Sequence, residues 1–196
     1  MKQLFLVMLL TIATSAIYAG DATAGKNKSM ICSTCHGTEG ISIAPNWPNL
    51  AGQHESYLKK QISEFKAEKR IDQSMAPMVA NLSDEDIADL AAYYASLENK
   101  PAAVKEQFVA LGQEIYTRGA EGVTACTACH GPQGNGLAAA GFPAVTGQKV
   151  DYAIKQLKDF RDGTRSNDLN GMMRDVAKSM TDEQIEAVAN YVSGLH

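Results

Sequence analysis

Two short motifs bring cysteine and histidine together in a pattern that can hold a cofactor. The pattern Cys-x-x-Cys-His occurs twice, as Cys32, Cys35 and His36 and as Cys126, Cys129 and His130. Two thiols about one helical turn apart can form thioether bonds with the two vinyl groups of a haem, and the adjacent histidine then lies beneath the iron. The motifs therefore predict two covalently bound haem c groups, with the two histidines as axial iron ligands.

Two other uses of a Cys-x-x-Cys pair fit this chain less well. Thioredoxin-like thiol–disulfide exchange needs a strand before the motif and alternating strands and helices around it, and neither pattern is present. A zinc site made of all four cysteines leaves both following histidines without a role. Haem attachment uses every cysteine of the chain, so we expect no disulfide and no free thiol.

The second axial ligand of each iron has to come from elsewhere in the chain. Methionine commonly accompanies histidine in electron carriers, because its soft thioether favours Fe(II) and raises the potential. Met75 and Met173 stand at matching places, each seven residues before the apolar residue that precedes the last helix of its half. We predict these two methionines as axial ligands, with Met78 and Met172 as the alternatives.

The remaining polar candidates surround these ligands. A ligating histidine usually donates its second ring N–H to a carbonyl, and Pro48 and Pro143 follow the two motifs at a suitable distance. Four side chains are candidate partners of the haem propionates, namely Tyr57, Tyr152, Arg70 and Arg165. His54 has Lys149 at its repeat position, so we interpret it as a surface side chain, and we assign no role to the terminal His196.

The elements that position these residues are duplicated along the chain. The first motif returns at an offset of 94 residues, the Tyr57 to Arg70 segment at 95, and the Met75 to Glu85 segment at 98. Such self-similarity indicates a tandem repeat with small loop insertions. We divide the chain into a signal peptide at residues 1–19, domain 1 at residues 20–99 and domain 2 at residues 100–196.

Helical signals dominate both domains. Ser83 and Thr181 are N-cap residues before runs with apolar side chains at helical spacing, and carboxylates follow in the first turns. Residues 57–69 and 152–161 are predicted to form a middle helix in each domain, and no convincing strand pattern appears. Each domain is so small that a bound cofactor at the centre of its core would stabilise it.

The N-terminus indicates export. Lys2 is followed by an apolar run from Leu4 to Ala13 and then by small residues up to Ala19, which is typical of a cleavable secretory signal. The run is short for a membrane-spanning helix, which needs about 20 apolar residues. We therefore expect cleavage near Ala19 and a mature protein in the periplasm.

Charge argues against one class of partner. The chain carries 18 basic and 22 acidic side chains, and the basic ones form no stripe along the sequence. An acidic chain without a basic patch is a poor candidate for binding nucleic acid.

With its Cys-x-x-Cys-His motif, proline loop, methionine and final amphipathic helix, each half resembles a class I cytochrome c. The two halves together resemble the cytochrome c4 family over residues 20–196. This resemblance implies an all-α fold of two tandem class I cytochrome c domains, each built around one covalently bound haem with a His/Met ligand pair. It also implies a periplasmic carrier, in some members loosely associated with the membrane, that takes electrons from a cytochrome bc complex to a terminal oxidase.

Two other functions compete with the electron carrier. A dihaem peroxidase needs one iron with an accessible or releasable distal site, yet both halves offer a methionine at the same place and no acid/base residue stands out nearby. A fixed haem subunit of a larger redox complex is the other alternative. The expected absence of a membrane anchor weighs against it.

Overall fold

The computed structural model describes residues 20–196, so the predicted signal peptide at residues 1–19 lies outside the described residues. Within residues 20–196 the secondary structure is helical, and β-structure is limited to isolated bridges at Ala120–Val123 and Leu137–Phe142. The predicted all-α fold is confirmed.

Each domain contributes five of the ten α-helices in the described part of the chain. The helices of domain 1 are α1 (Ala22–Lys28), α2 (Met30–His36), α3 (Glu55–Lys66), α4 (Met75–Val79) and α5 (Asp84–Ala95). The helices of domain 2 are α6 (Glu106–Arg118), α7 (Thr127–His130), α8 (Val150–Arg161), α9 (Met172–Ala177) and α10 (Asp182–Ser193). Two short 3₁₀ turns, Ala138–Ala140 and Leu169–Gly171, lie in the loops of domain 2.

The last helix of each domain begins with a capping box, as the sequence predicts. The Ser83 hydroxyl accepts from the Asp86 N–H, and the Asp86 carboxylate accepts from the Ser83 N–H in return. Thr181 and Gln184 make the same reciprocal pair at the start of α10. Each box satisfies two backbone donors that would otherwise be unpaired at the helix start.

The middle helices are confirmed in place, but α3 ends at Lys66, three residues before the predicted end. Glu68 adopts a left-handed φ of 55°, which a right-handed helix cannot contain. The equivalent residue in domain 2 is Gly163, with a φ of 77°. Glycine takes this conformation freely, so Gly163 in the second repeat indicates that the middle helix of domain 1 ends before the equivalent residue, Glu68.

The first helix of each domain, which sequence reasoning missed, crosses the last one. The backbones approach closely where Gly25 of α1 faces Asp89 and where Gly112 of α6 faces Ala187. A Cβ atom at either glycine would overlap the facing carbonyl oxygen, so the close crossing depends on both glycines. Helix α1 has hardly any apolar periodicity, which explains why its sequence did not predict a helix.

Each domain has its own hydrophobic core. In domain 1, Leu58 of α3 packs against Leu90 and Tyr94 of α5. In domain 2, Ile115 and Tyr116 of α6 pack against α10. Met180 belongs to this second core and is 4% exposed, so it fills space between helices.

Candidate haem sites

The first motif lies on α2, whose last residue is His36. The imidazole is buried, and its Nδ1 lies 2.9 Å from the carbonyl oxygen of Pro48. Because a carbonyl oxygen only accepts, Nδ1 carries the proton and donates it. The other ring nitrogen, Nε2, is therefore left with a lone pair for a metal, as the sequence predicts.

The second motif repeats this geometry on α7. His130 is again the last residue of its helix and is buried, and its Nδ1 donates to the carbonyl oxygen of Pro143 at 2.9 Å. The same histidine tautomer is thus fixed in both domains by the same kind of partner. This orientation of a ligand by a neighbouring carbonyl is typical of metal-binding histidines.

Burial lowers the pKa of His36 and of His130, while the two proline carbonyls act in the opposite direction. The net shift favours the neutral imidazole. Only the neutral ring can offer a lone pair to iron. The environment of both side chains therefore suits an iron ligand.

The four cysteines are half-buried and form no disulfide. Burial raises the pKa of the Cys32 thiol, and it raises the pKa of Cys126 to about 11. A raised pKa keeps a thiol protonated, whereas thiol–disulfide exchange needs a thiolate. The first cysteine of each motif is thus poorly suited to redox exchange, and its thiol remains free for thioether formation.

The donor sets fit haem c and exclude the zinc alternative. Each domain presents two unpaired thiols and one neutral imidazole on a single short segment, as covalent haem attachment requires. Across residues 20–196 no three His, Cys, Asp or Glu side chains are grouped so as to hold a metal ion. The two motifs therefore serve two separate haem c groups.

The segment that carries the predicted methionine ligand of domain 1 is held by Asp72. The carboxylate of Asp72 accepts from the backbone N–H groups of Ser74 and Met75, at 2.9 and 3.1 Å. Met75 begins α4 and is half-buried, whereas Met78 is 46% exposed. This difference in burial favours Met75, and its ligation of iron stays a prediction.

The corresponding segment of domain 2 is three residues longer and is held differently. The buried carboxylate of Asp168 accepts from the backbone N–H of Arg174 at 3.0 Å and from its Nε at 2.8 Å. Gly171 precedes α9 in a left-handed conformation, with a φ of 74°. Met172 and Met173 are both half-buried, so the choice between them rests on the repeat position alone.

The four predicted propionate partners meet where the two domains touch. Arg70 donates to the Tyr152 hydroxyl at 2.9 Å, and Arg165 donates to the Tyr57 hydroxyl at 2.9 Å. Both guanidiniums also donate to the carboxamide oxygens of two glutamines, Gln61 and Gln156. The result is a network with approximate twofold symmetry in which each arginine bonds the other domain's tyrosine.

The two guanidiniums dominate the electrostatics of this network. Burial alone would raise the pKa of Tyr57, but the charges of Arg165 and Arg70 outweigh it and lower the pKa. Burial opposes the charge on Arg70, yet the neighbouring Tyr152 and Tyr57 raise the pKa of that arginine. Within residues 20–196 neither guanidinium has a carboxylate at ion-pair distance, so two positive charges share neutral acceptors.

Sequence reasoning missed a buried tyrosine beside the first cysteine of each motif. In domain 2 the hydroxyl of Tyr116 donates to the Gly131 carbonyl at 2.6 Å. In domain 1 the buried hydroxyl of Tyr94 has no hydrogen-bond partner. The two tyrosines come from different helices, α6 and α5, so the repeat could not reveal that they are related in space.

The surface interpretation of His54 is wrong. The ring is half-buried, and its Nε2 is buried without a hydrogen-bond partner. The neighbouring Gln53 bonds to Ala144 of domain 2, so His54 stands at the domain contact, which the sequence could not show. His196 is exposed, and its ring nitrogen lies 3.0 Å from the Gly194 carbonyl.

No helix within residues 20–196 has both the length and the apolar character that a bilayer-spanning segment needs.

Comparisons with known proteins agree with this geometry. A family model described as cytochrome c matches twice, at residues 22–98 and 109–196. Cytochrome c4 of Pseudomonas aeruginosa is 44% identical over the full length of both chains. A thiosulfate dehydrogenase electron acceptor of Stutzerimonas stutzeri is 37% identical and matches 85% of this chain and 80% of its own.

A solved structure supports the same relationship. The crystal structure of reduced recombinant cytochrome c4 from Pseudomonas stutzeri superposes with a TM-score of 0.88 at 42% identity. The match covers 91% of this chain and 100% of that chain.

Proposed function

The chain belongs to the cytochrome c4 family, and from that premise we propose that it carries electrons from a quinol-oxidising cytochrome bc complex to a terminal oxidase. It is a dihaem electron carrier. Redox proteins are its partners, and the specific route is our proposal. The observation that supports an electron carrier is the equivalence of the two sites. In each of them a proline carbonyl accepts a hydrogen bond of 2.9 Å from a buried histidine.

Bound haem supplies the one-electron Fe(III)/Fe(II) chemistry, and the chain's own residues prepare the sites for it. Cys32 and Cys35, with their counterparts Cys126 and Cys129, would hold the group covalently. The histidine Nδ1 bonds fix the ring planes before any electron arrives, so little reorganisation is needed. Met75 and Met173 would supply the second ligands and keep each iron closed to other molecules.

The half-buried Arg70 and the buried Arg165 are suited to the haem propionates. Two guanidiniums that have only neutral acceptors leave positive charge uncompensated in a partly buried place. Propionate carboxylates would balance that charge with charge-assisted hydrogen bonds. The carboxylates would then lie at the contact between the domains, which would suit electron transfer from one domain to the other.

Electron exchange with native membranes tests the proposed route. The purified holoprotein should be reduced by membranes that contain a cytochrome bc complex and quinol, and it should be oxidised by membranes that contain a terminal oxidase. Each chain should take up two electrons, one per domain. An inhibitor of the bc complex should abolish the first reaction, and reduction that persists unchanged in its presence would contradict the route.

Two alternatives differ from an electron carrier in testable ways. A dihaem peroxidase has one open iron site, and a haem subunit of a larger complex stays bound to its partners. A peroxidase would show a ligand exchange with peroxide at one iron, and a Met–iron charge-transfer band at both irons would argue against it. A fixed subunit would co-purify with a larger complex through high salt. We do not propose a peroxidase, because both sites offer a methionine at the same repeat position. We do not propose a fixed subunit, because the relatives that match this chain over its full length are cytochromes c4.

A second electron source has support from a relative. The chain is 37% identical to a thiosulfate dehydrogenase electron acceptor. Thiosulfate dehydrogenase is therefore a candidate donor to this chain. Rapid reduction of the holoprotein by that enzyme and thiosulfate, in the absence of quinol, would favour this donor over the bc complex.

We place the protein in the periplasm, where an N-terminal signal at residues 1–19 would deliver it. Peripheral association with the membrane would bring it close to both proposed partners. Fractionation of cells, with haem staining of the periplasmic and membrane fractions before and after a salt wash, measures both parts of this proposal.

A further inference from the structure

Two glutamines at equivalent repeat positions each reach into the opposite domain. Oε1 of Gln148 accepts from the Asn49 N–H at 2.8 Å, and its Nε2 donates to the Asn49 carbonyl at 3.0 Å. Gln53 makes the same pair of bonds with Ala144, both at 2.9 Å. Each side chain thus pairs with the backbone of one residue in the other domain, much as a neighbouring strand would.

The peptide groups that receive these bonds also serve the axial histidines. The Asn49 N–H and the Pro48 carbonyl belong to one peptide group, and that carbonyl accepts from Nδ1 of His36. In domain 2 the Ala144 N–H and the Pro143 carbonyl form the equivalent group, which accepts from His130. A continuous path therefore leads from each imidazole, through one peptide, to a glutamine of the other domain.

The orientation of each carboxamide is fixed by a second backbone donor. Oε1 of Gln148 also accepts from the Lys149 N–H at 2.9 Å, and Oε1 of Gln53 accepts from the His54 N–H at 3.0 Å. With two N–H groups on one side and a carbonyl on the other, only one assignment of oxygen and nitrogen satisfies all partners. The acceptor end of each glutamine therefore faces the peptide N–H.

Hydrogen bonds at the two ends of a peptide reinforce each other. An acceptor on the N–H draws the amide toward its charge-separated resonance form, which leaves more negative charge on the carbonyl oxygen. A stronger carbonyl acceptor pulls harder on the Nδ1 proton, and the imidazole becomes a better electron donor to a metal. Such a ligand favours Fe(III) and lowers the potential.

We propose that Gln148 tunes the axial histidine of domain 1 and that Gln53 tunes the axial histidine of domain 2. Both are positioning residues that act through the Pro48 and Pro143 peptides. The inference rests on the proposed ligation of iron by His36 and His130. It makes the potential of each haem depend on the docking of the opposite domain.

The test uses Gln148→Met and Gln53→Met in the holoprotein, since methionine nearly matches glutamine in volume but cannot accept as an amide oxygen does. In the reduced protein, Gln148→Met should move the Nδ1–H resonance of His36 upfield and leave that of His130 in place. The reduction equilibrium constant of the domain 1 haem should rise roughly threefold, because one bond in a chain alters the next by a modest fraction. Gln53→Met should produce the mirror image.

Asn167→Ala is the matched control for the domain contact. It removes the bonds that Asn167 donates to Gln61 and Glu64 of domain 1, at 2.9 and 2.6 Å, and the bond that it accepts from Arg165 at 2.9 Å. It touches neither the Pro48–Asn49 nor the Pro143–Ala144 peptide. Both histidine Nδ1–H resonances should stay in place. Gln148→Glu is the second variant: it keeps an acceptor for the Asn49 N–H, and a carboxylate is a stronger acceptor than an amide, so the His36 resonance should not move upfield.

The outcomes separate the proposed tuning of each histidine through its proline peptide from the iron ligation on which that tuning rests. Unchanged Nδ1–H resonances in both methionine variants would overturn the proposed tuning by Gln148 and Gln53 and leave the proposed function intact. Equal movement of both resonances in one variant would also overturn it, because general opening of the contact would then be the cause. If the unmodified holoprotein shows no signals of iron-bound histidines, the proposed function is contradicted instead.

Discussion

The two domains have closely similar cofactor sites, but the structure around each site is built from different side chains. The histidine-to-proline bond, the capping box and the arginine–tyrosine contact occur in both, with bond lengths that agree within 0.1 Å at His36 and His130. The helix crossing next to each site is built from different side chains. The cofactor therefore constrains its immediate partners more tightly than it constrains the scaffold.

The crossing of domain 1 is charged. Lys28 of α1 contacts Asp86 and Asp89 of α5 at 2.7 and 2.6 Å, and the Asp21 N–H donates to Asp89 at 2.8 Å. In domain 2 the positions of the two aspartates hold the uncharged Gln184 and Ala187. Both domains have a tyrosine pair beside the crossing, with ring centroids 5.0 Å apart for Tyr93 and Tyr94 and 5.6 Å apart for Tyr116 and Tyr191. The ion cluster is therefore what distinguishes the crossing of domain 1.

The segments that carry the predicted methionine ligands differ as well. In domain 1 the segment is held by Asp72 within its own domain. The longer segment of domain 2 also binds across the contact, because Asn167 donates to Gln61 and Glu64 of domain 1. The two predicted ligands are thus positioned by non-equivalent bonds: the methionine recurs at the same repeat position, while the bonds that hold its segment differ.

The largest expected effect tests whether the ligands really are equivalent. Met75→Ala and Met173→Ala should each abolish one Met–iron charge-transfer band and lower that haem's potential by on the order of 0.2 V, since a soft ligand to Fe(II) is lost. Optical spectra and redox titrations measure both. Met78→Ala and Met172→Ala are the controls, and a silent Met75→Ala beside an active Met78→Ala would show that the repeat position misled us.

The glycines of the two crossings should be equally intolerant of a side chain. Gly25→Ala and Gly112→Ala place a Cβ against a carbonyl oxygen of the facing helix, so we expect each to destabilise its own domain by about 3 kcal/mol. Urea unfolding followed at the haem of each domain measures the loss. Gly141→Ala is a control for the steric clash alone: a Cβ there meets no atom within 4 Å, and only its left-handed φ of 75° should cost stability, by about 1 kcal/mol. A strong effect in one domain alone would break the equivalence.

The ion cluster should make the stability of domain 1 depend on pH through Lys28, because the equivalent positions of domain 2, Gln184 and Ala187, do not titrate. Hydrogen bonds from Lys28 lower the pKa of Asp86 and of Asp89, so the stability they contribute is present above the ordinary Asp pKa and is lost as pH falls below about 4. The same contacts raise the pKa of Lys28, so its contribution is present below the ordinary Lys pKa and is lost at pH well above about 10.

Thermal unfolding of each domain at pH 3, 7 and 10 measures this difference. Lys28→Met should weaken domain 1 at pH 7 and flatten its acid dependence, while domain 2 stays unchanged. The matched control is Lys178→Met, which removes an exposed ion pair with Asp175 in domain 2 and should have little effect. Domain 2 keeps its own acid dependence through Asp168 and Asp182, whose pKa values are also lowered. An acid dependence of domain 1 that is unchanged in Lys28→Met would contradict the assignment.

The smallest expected effect concerns the order of the two potentials. Domain 1 carries 7 basic and 11 acidic side chains, and domain 2 carries 10 and 11. Excess negative charge stabilises Fe(III), so the haem of domain 1 should have the lower potential by tens of millivolts to about 100 mV, with salt reducing the gap. A titration with each haem assigned by NMR of its axial methionine measures the order, and a domain 1 potential equal to or above that of domain 2 would contradict it.

Much of the local structure could be predicted from short stretches of sequence. The capped starts of α5 and α10 and the bonds from His36 and His130 to the prolines all involve residues within about a dozen positions of each other. The first helices could not be predicted as easily. Helix α1 is stabilised by its crossing with α5 around Gly25, and its own sequence has little helical periodicity.

The sequence by itself determined the chemistry of this protein, because haem attachment needs two thiols and a histidine that are neighbours in the chain. Only the tertiary structure decided how the domains meet. The bonds from Arg70 to Tyr152 and from Gln148 to Asn49 join residues 82 and 99 positions apart. Glutamine and arginine occur on many surfaces, so nothing in their local sequence distinguishes a residue that binds the other domain from one that faces water. Their role follows from the docking of two folded domains, which brings the backbone behind each axial histidine within reach of the opposite domain.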